Sequence, residues 1–256
     1  NCLQCQWMYR RPPQWWRRSA AFHEALQHVD RFLSASRHAL AAHEARGLAL
    51  KAEVLPIFSQ LAGPDEEETP EHPPEGDLPD EFFLFVGRLE KLKGLQDVLP
   101  YFRDHPEKNL LVTGRGDYEK ALKRMAAGAA NIRFTGPRSM AELRGLYARA
   151  TATIAPSLAH EISPMVVLES WSQGTPVIAR DYGALSEILN EHRGGLLFSS
   201  AADLARQIER LHGDAGLCEE LGAAGRAAYR RDWAPGVHIA RYLDIIDGIR
   251  TAQHAS

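Results

Sequence analysis

From residue 80 onward, short apolar runs alternate with longer helix-like stretches, and this alternation restricts the fold more than any other property of the chain. The runs fall at 82–86, 110–113, 132–135, 152–155, 177–179 and 195–198. The first, Phe82-Phe83-Leu84-Phe85-Val86, is apolar throughout and reads as a strand buried on both faces. Helices fit between the runs, among them 140–150 and 184–190, and helices at 203–211, 217–230 and 235–250 finish the chain. Strands separated by helices of this length predict an α/β protein with a doubly wound, parallel, Rossmann-like sheet.

Upstream, 29–36 and 52–55 read as strands and 37–46 as a helix, the outline of a partial second α/β domain. Prolines at 64, 70, 73, 74 and 79 and the acidic run 65–68 then break all periodicity. That composition predicts an exposed, semi-extended linker. The chain therefore divides into 1–59, a linker at 60–79, a main domain at 80–233 and a terminal helix at 234–256. With 256 residues, 45% of them hydrophobic, it can build one large or two modest cores. A net charge of −3 offers nucleic acid no electrostatic footing. No apolar run approaches the roughly 18 residues that a spanning helix needs, and the first residues do not resemble a signal peptide. Three cysteines are too few for a disulfide scaffold and fit a reducing cytoplasm.

Two motifs carry chemistry. The first is His160-Glu161-Ile162-Ser163-Pro164-Met165-Val166-Val167-Leu168-Glu169, followed by Gly174-Thr175-Pro176. Ser163 is a good N-cap, Pro164 suits the first helical position, and Gly174 closes a helix of about ten residues. The amides of Met165, Val166 and Val167 are then expected to form an anion site at the positive end of the helix dipole. Glu161 lies before that site and Glu169 inside the helix, so at about 1.5 Å of rise per residue the pair spans roughly 10 Å. A ligand with hydroxyls at both ends and phosphates between, such as a nucleoside-diphosphate sugar, fits that layout. Alone, two such glutamates are ordinary on a solvated helix.

The second motif follows the strand at 82–86 and reads Gly87-Arg88-Leu89-Glu90-Lys91-Leu92-Lys93-Gly94. Arg88 sits at the carboxyl end of the strand, where open α/β sheets hold their ligands, and Lys93-Gly94 is expected to open the next helix. Two cations facing a helix N-terminus would grip a diphosphate by charge-assisted hydrogen bonds. The competing reading pairs Arg88 with a nearby acid and leaves Lys93 on the surface.

Together, Gly-Arg with a following Lys-Gly, then Glu, seven residues, Glu and Gly-Thr-Pro, resemble the retaining glycosyltransferases of family 4, which have the GT-B fold. The resemblance runs from about residue 29 to 247. It implies that Gly87, Arg88 and Lys93 hold the donor diphosphate, Glu161 the sugar hydroxyls and Glu169 the ribose hydroxyls. Ser163, Pro164, Met165 and Val166 would line the donor site, and Arg138 would stand in the loop that meets the nucleotide base. Glu161, Arg88 and Lys93 would be the catalytic groups. Ile162-Ser163-Pro164 replaces the commoner Gly-Phe-Gly, a variant that leaves the identity of the sugar open. The resemblance further implies transfer of a hexose-type unit to a glycan, lipid or other small acceptor in carbohydrate or envelope polysaccharide synthesis. A nucleotide-sugar 2-epimerase and a non-catalytic nucleotide-sugar-binding module are the alternatives on the same fold. By this comparison, 1–59 is the tail of an acceptor-side domain and 234–256 a helix crossing back to it. The chain would then be the donor half of a longer enzyme, unable to transfer sugar alone.

Asp-x-Asp occurs nowhere in the chain, so no metal or other cofactor is expected. Gly114-Arg115-Gly116 lacks the third glycine of a dinucleotide fingerprint and reads as a turn that either lines the cleft or is merely tight. Cys2 and Cys5 make half of a zinc pattern with no second pair. The aromatic and arginine clusters at 7–11 and 15–18 suit peripheral contact with an anionic inner-membrane surface or burial against another domain equally well.

Overall fold

The computed structural model describes residues 16, 19–48, 50–59, 61 and 78–254. Cys2, Cys5, the aromatic and arginine residues at 7–11 and nearly all of the proline-rich linker lie outside them. The chain first forms α1 (Ala20–Gln27), β1 (Phe32–Ser34), α2 (Arg37–Glu44) and β2 (Ala52–Val54). Ser36 caps α2, its hydroxyl accepting from the Ala39 amide at 3.2 Å. Strands β1 and β2 pair in parallel, Phe32 against Ala52 through Ser34 against Val54, as a separate two-stranded sheet.

The main domain runs β3 (Phe83–Val86), α3 (Leu99–Asp104), β4 (Leu110–Thr113), α4 (Glu119–Met125), β5 (Ile132–Gly136), α5 (Met140–Arg149), β6 (Ala152–Ala155) and α6 (Met165–Ser172). It continues with β7 (Val177–Arg180), α7 (Gly183–His192), β8 (Gly195–Phe198), α8 (Ala201–His212) and α9 (Ala215–Asp232), and α10 (Pro235–His254) ends the described chain. The six strands are all parallel in the order β5-β4-β3-β6-β7-β8. This is the expected doubly wound, Rossmann-like parallel sheet, with a small second α/β unit beside it.

The central strands β3 and β4 are largely apolar because both faces are covered. Phe83 and Phe85 point into a core shared with Val98 and Phe102 and with Leu204 and Ile208 of α8. Leu84 and Val86 point the other way, toward Leu146 and Tyr147 of α5. Trp171 of α6 packs on that same face, with Val177 and Leu185. The period-2 alternation of side chains thus distributes one hydrophobic run between two cores.

Several expected boundaries shift. The strand at 29–36 shrinks to Phe32–Ser34. Lys93-Gly94 does not open an α-helix: Lys91–Lys93 and Leu95–Asp97 are single 3-10 turns, with Gly94 between them at φ 74°, and the helix begins only at Leu99. Left-handed backbone there stops the first turn from propagating. The strand expected at 177–179 runs one residue longer, to Arg180. Helices α1, α3 and α4 have no counterpart among the segments named from sequence.

Candidate functional site

Strands β3 and β6 are neighbours in space but first and fourth in order, so the chain leaves their carboxyl ends toward opposite faces of the sheet. Such a switch point opens a crevice. Here it holds a cleft of about 410 Å³ lined by Gly87, Arg88, Lys93, Ser157, Glu161, Ser163, Pro164, Met165, Val166 and Glu169, among others. Nine of the ten residues expected at the site come together in it. The tenth, Arg138, does not: its guanidinium is 2.7 Å from Glu142 in the first turn of α5, where Glu142 and Ser139 form a capping box.

Backbone packing sets the spacing of the two rims. A side chain at Gly94 would overlap the Pro156 carbonyl oxygen, so the loop after β3 lies directly on the loop after β6. The Leu158 amide donates to the Leu92 carbonyl at 2.8 Å across the same contact. Gly114, at φ 132°, stacks on the Gly87 carbonyl. Of the two readings of the Gly114-Arg115-Gly116 turn, the structure supports close packing: it props the Gly87 loop from behind and stays out of the cleft lining.

The charges inside are partly self-satisfied. Lys93 Nζ donates to Glu161 Oε1 at 2.7 Å, and Ser157 Oγ donates to the same oxygen at 2.7 Å. The side chains of Lys93 and Glu161 are only 26% and 19% exposed. Arg88 combines both readings of it, lining the cleft while pairing with Glu90 at 2.7 Å through a side chain 69% exposed. Glu169 Oε2 accepts from the Tyr147 hydroxyl at 2.7 Å. Burial pushes the Glu169 carboxyl above the ordinary carboxylate range, and the Tyr147 hydrogen bond offsets only part of that rise.

The start of α6 differs from expectation. Pro164 occupies the N-cap at ψ 81°, Met165 is the first helical residue, and no side chain caps the end. Ser163 stands one residue before the cap, its hydroxyl directed toward the Met165 sulfur at 4.0 Å. The Met165 and Val167 amides donate to the carbonyls of Ser163 and Pro164, at 3.0 and 2.9 Å. The three free amides foreseen at the helix tip are thus reduced, with Val166 the one not engaged in this way.

Two further groups went unforeseen. Ser157 stands just past the carboxyl end of β6, where the switch-point rule alone could have singled it out. His160 has no comparable local signal: it stacks on His38 of α2, with Nδ1 3.0 Å from His38 Nε2, and its Nε2 lies 2.5 Å from the Tyr182 hydroxyl. This cluster ties the loop carrying Glu161 to the upstream unit. Nearby, a cavity of about 200 Å³ shares Ser163 and Pro164 with the main cleft and is otherwise walled by α2, α7 and α10, among others.

Fold and cleft together define a doubly wound α/β protein that presents two cations and two carboxylates at its topological switch point. The chain belongs to the glycosyl transferases group 1 family, whose model matches residues 67–228. It is 33% identical over 159 residues to the phosphatidyl-myo-inositol mannosyltransferase of Mycobacterium leprae, covering 59% of this chain and 42% of that protein. It is 31% identical over 180 residues to the D-inositol 3-phosphate glycosyltransferase of Streptomyces bingchenggensis, covering 63% and 38%. The chain therefore matches only about two fifths of the length of these curated relatives. Sucrose-phosphate synthase from Thermosynechococcus elongatus superposes with a TM-score of 0.74 at 20% identity, over 96% of this chain and 65% of that one. Anabaena Alr3699/HepE, solved with UDP and glucose, superposes with a TM-score of 0.75 at 16% identity, over 94% and 73%. Among the described residues, no helix is long and apolar enough to cross a membrane.

Proposed function

We propose that the cleft binds a nucleoside-diphosphate sugar and that the whole protein is a retaining glycosyltransferase of family 4, moving a hexose-type unit to a glycan, lipid or other small acceptor. The observation that carries this reading is the convergence of Arg88, Lys93, Glu161 and Glu169 on one cleft at the switch point. Cations and carboxylates are placed there as a diphosphate flanked by two sets of hydroxyls requires. The names of the curated relatives and the UDP held by the Anabaena protein support the same ligand class.

On this reading, Lys93 and Arg88 meet the negative charge that grows on the diphosphate as the glycosidic bond breaks, where fixed cations in a confined site act most strongly. Glu161 orients the sugar through its hydroxyls and Glu169 accepts from the ribose. Gly87, with no side chain, lets the ligand approach the end of β3, while Ser163, Pro164, Met165 and Val166 shape the opposite wall. Residues 80–233 are the donor-binding unit, 1–59 the tail of an acceptor-side unit, and 234–256 the helix returning to it. Transfer is assigned to the whole protein in the cytoplasm, not to these 256 residues alone. Protein cations take the role of a metal, so activity of the whole protein should persist in excess EDTA. Loss restored by Mg²⁺ or Mn²⁺ would refute that part.

Calorimetry with UDP and GDP tests the clamp directly. Arg88→Ala and Lys93→Ala each remove a charge-assisted contact of about 1.5–3 kcal/mol, so affinity should fall roughly ten- to hundredfold. Unchanged affinity in both variants would sink the assignment.

A further inference from the structure

One polar contact in the wall of the cleft has no role in the reading so far. Tyr147, near the end of α5, is completely buried, and its hydroxyl donates to Glu169 Oε2 at 2.7 Å. A buried tyrosine hydroxyl needs a partner, and a backbone carbonyl would meet that need at lower electrostatic cost. Here the partner is a carboxylate on the wall of the cleft. The ring is held by Leu61, Phe82 and Leu84, and the Tyr147 carbonyl accepts from Thr175 Oγ1 at 2.5 Å. Tyr147 therefore cannot follow Glu169 if the carboxylate moves.

The contact has two chemical consequences. It occupies Oε2 and leaves Oε1 for a ligand, turning a freely rotating carboxylate into an acceptor with one defined oxygen. It also favours the charged form of Glu169 against burial, which pushes that carboxyl upward. The Tyr147 phenol is itself pushed well above its ordinary range by burial and by Glu169, so it remains a donor at any working pH.

We propose that Tyr147 is a positioning residue that sets Glu169 to accept from the vicinal hydroxyls of a ribose, making the cleft select ribonucleotides over 2′-deoxyribonucleotides. The inference rests on the nucleoside-diphosphate reading of the cleft and adds to it the device that orients the ribose contact. A hydroxyl-bonding carboxylate penalises a ligand lacking its hydroxyl, because a desolvated acceptor is then left without a partner.

The test measures binding of UDP, GDP, their 2′-deoxy counterparts and inorganic pyrophosphate to the whole chain and to its Tyr147→Phe and Glu169→Gln variants. Tyr147→Phe keeps the ring and its packing and removes one oxygen. The native chain should prefer ribo over 2′-deoxy ligands by about tenfold, and Tyr147→Phe should reduce that preference to about threefold or less while leaving pyrophosphate unchanged. Glu169→Gln should lose the preference as well. A uniform weakening of all ligands in Tyr147→Phe, or an undiminished preference, would overturn the inference and leave the diphosphate site standing. Absence of binding by every ligand to the native chain would overturn both.

Discussion

Lys93 and Glu161 neutralise each other at 2.7 Å, so an anionic ligand that takes Lys93 must compete with a fixed carboxylate beside it. A free diphosphate meets this carboxylate as a like charge, whereas a diphosphate sugar can cover it with hydroxyls. Glu161→Gln should therefore tighten binding of free UDP or GDP by about three- to tenfold, while turnover of a nucleotide sugar by the whole protein falls. Calorimetry that showed weaker free-diphosphate binding would mean that the pair assists the phosphates. Glu169 sets a different balance. Its carboxyl is raised in the folded state, so as pH climbs through the ordinary carboxylate range the unfolded chain ionises while the folded one still holds its proton. Folded stability falls across that window and stays lower above the raised pKa. Removing the charge by Glu169→Gln should raise the melting midpoint at pH 8 by about 2–4 °C, with the gain fading toward pH 4. Thermal scans at both values check this, and a gain that grew on acidification would contradict the sign. Glu161, Glu169, Arg88 and Lys93 were all legible as candidates from motif spacing. The pairing of Arg88 with a nearby acid was legible too, since Glu90 lies two residues away. The bonds from Tyr147 to Glu169 and from Lys93 to Glu161 were not, because a hydrogen bond between distant segments leaves no trace in either one.

Among the elements, the loop after β3 shows how local signals were outweighed. Lys93-Gly94 reads as a helix start, yet two 3-10 turns form there because the backbone must press flat on Pro156. Gly94 has the required left-handed φ of 74° and no side chain. Gly94→Ala should destabilise the protein by at least about 2 kcal/mol, from strain and overlap together, and should splay Lys93 away from Glu161. Denaturant unfolding should show a lower midpoint at an unchanged slope. A midpoint matching the native chain would mean that the two loops can separate freely. At the start of α6, Ser163 and Pro164 carried strong capping signals, but the chain enters the helix one residue later than they imply. A side-chain cap competes with the demands of a cleft wall, and there the wall prevailed. Strands β4, β6 and β8 formed over the runs read for them. Complete burial of a short run, as in β4 and β6, leaves little choice of conformation.

Across the whole molecule, hydrogen bonds and ion pairs among the described residues hold the upstream unit to the main domain from two sides. Glu187 of α7 accepts from the Arg37 and His38 amides at 3.1 and 2.7 Å, receiving the N-terminus of α2 on a carboxylate. From the other side, α10 comes back to β2, with His238 Nδ1 2.7 Å from the Pro56 carbonyl and the Arg241 guanidinium donating to the Val54 carbonyl at 3.0 Å. Glu187→Ala should loosen this seam by about 1–3 kcal/mol. Hydrogen exchange should then quicken in β1, α2 and β2 while β3 to β8 stay protected. Equal protection in variant and native chain would show that the Arg37–Glu191 pair, the His38–His160 contact and α10 secure the unit without Glu187.

What the sequence determined by itself was the parallel α/β sheet, the place of each central strand and the residue types at the cleft. Those follow from apolar runs, from the helices between them and from glycine and proline punctuation, all of which act within a few residues. Tertiary structure alone decided strand order, and with it the meeting of β3 and β6 that joins Arg88 and Lys93 to Glu161 and Glu169. The Arg138–Glu142 pair is a local contact four residues apart, but tertiary structure also decided that Lys93 pairs with Glu161 inside the cleft. Such outcomes depend on which surfaces reach each other after the sheet winds, and charge and hydrogen bonding across that distance are settled by geometry that no single segment contains.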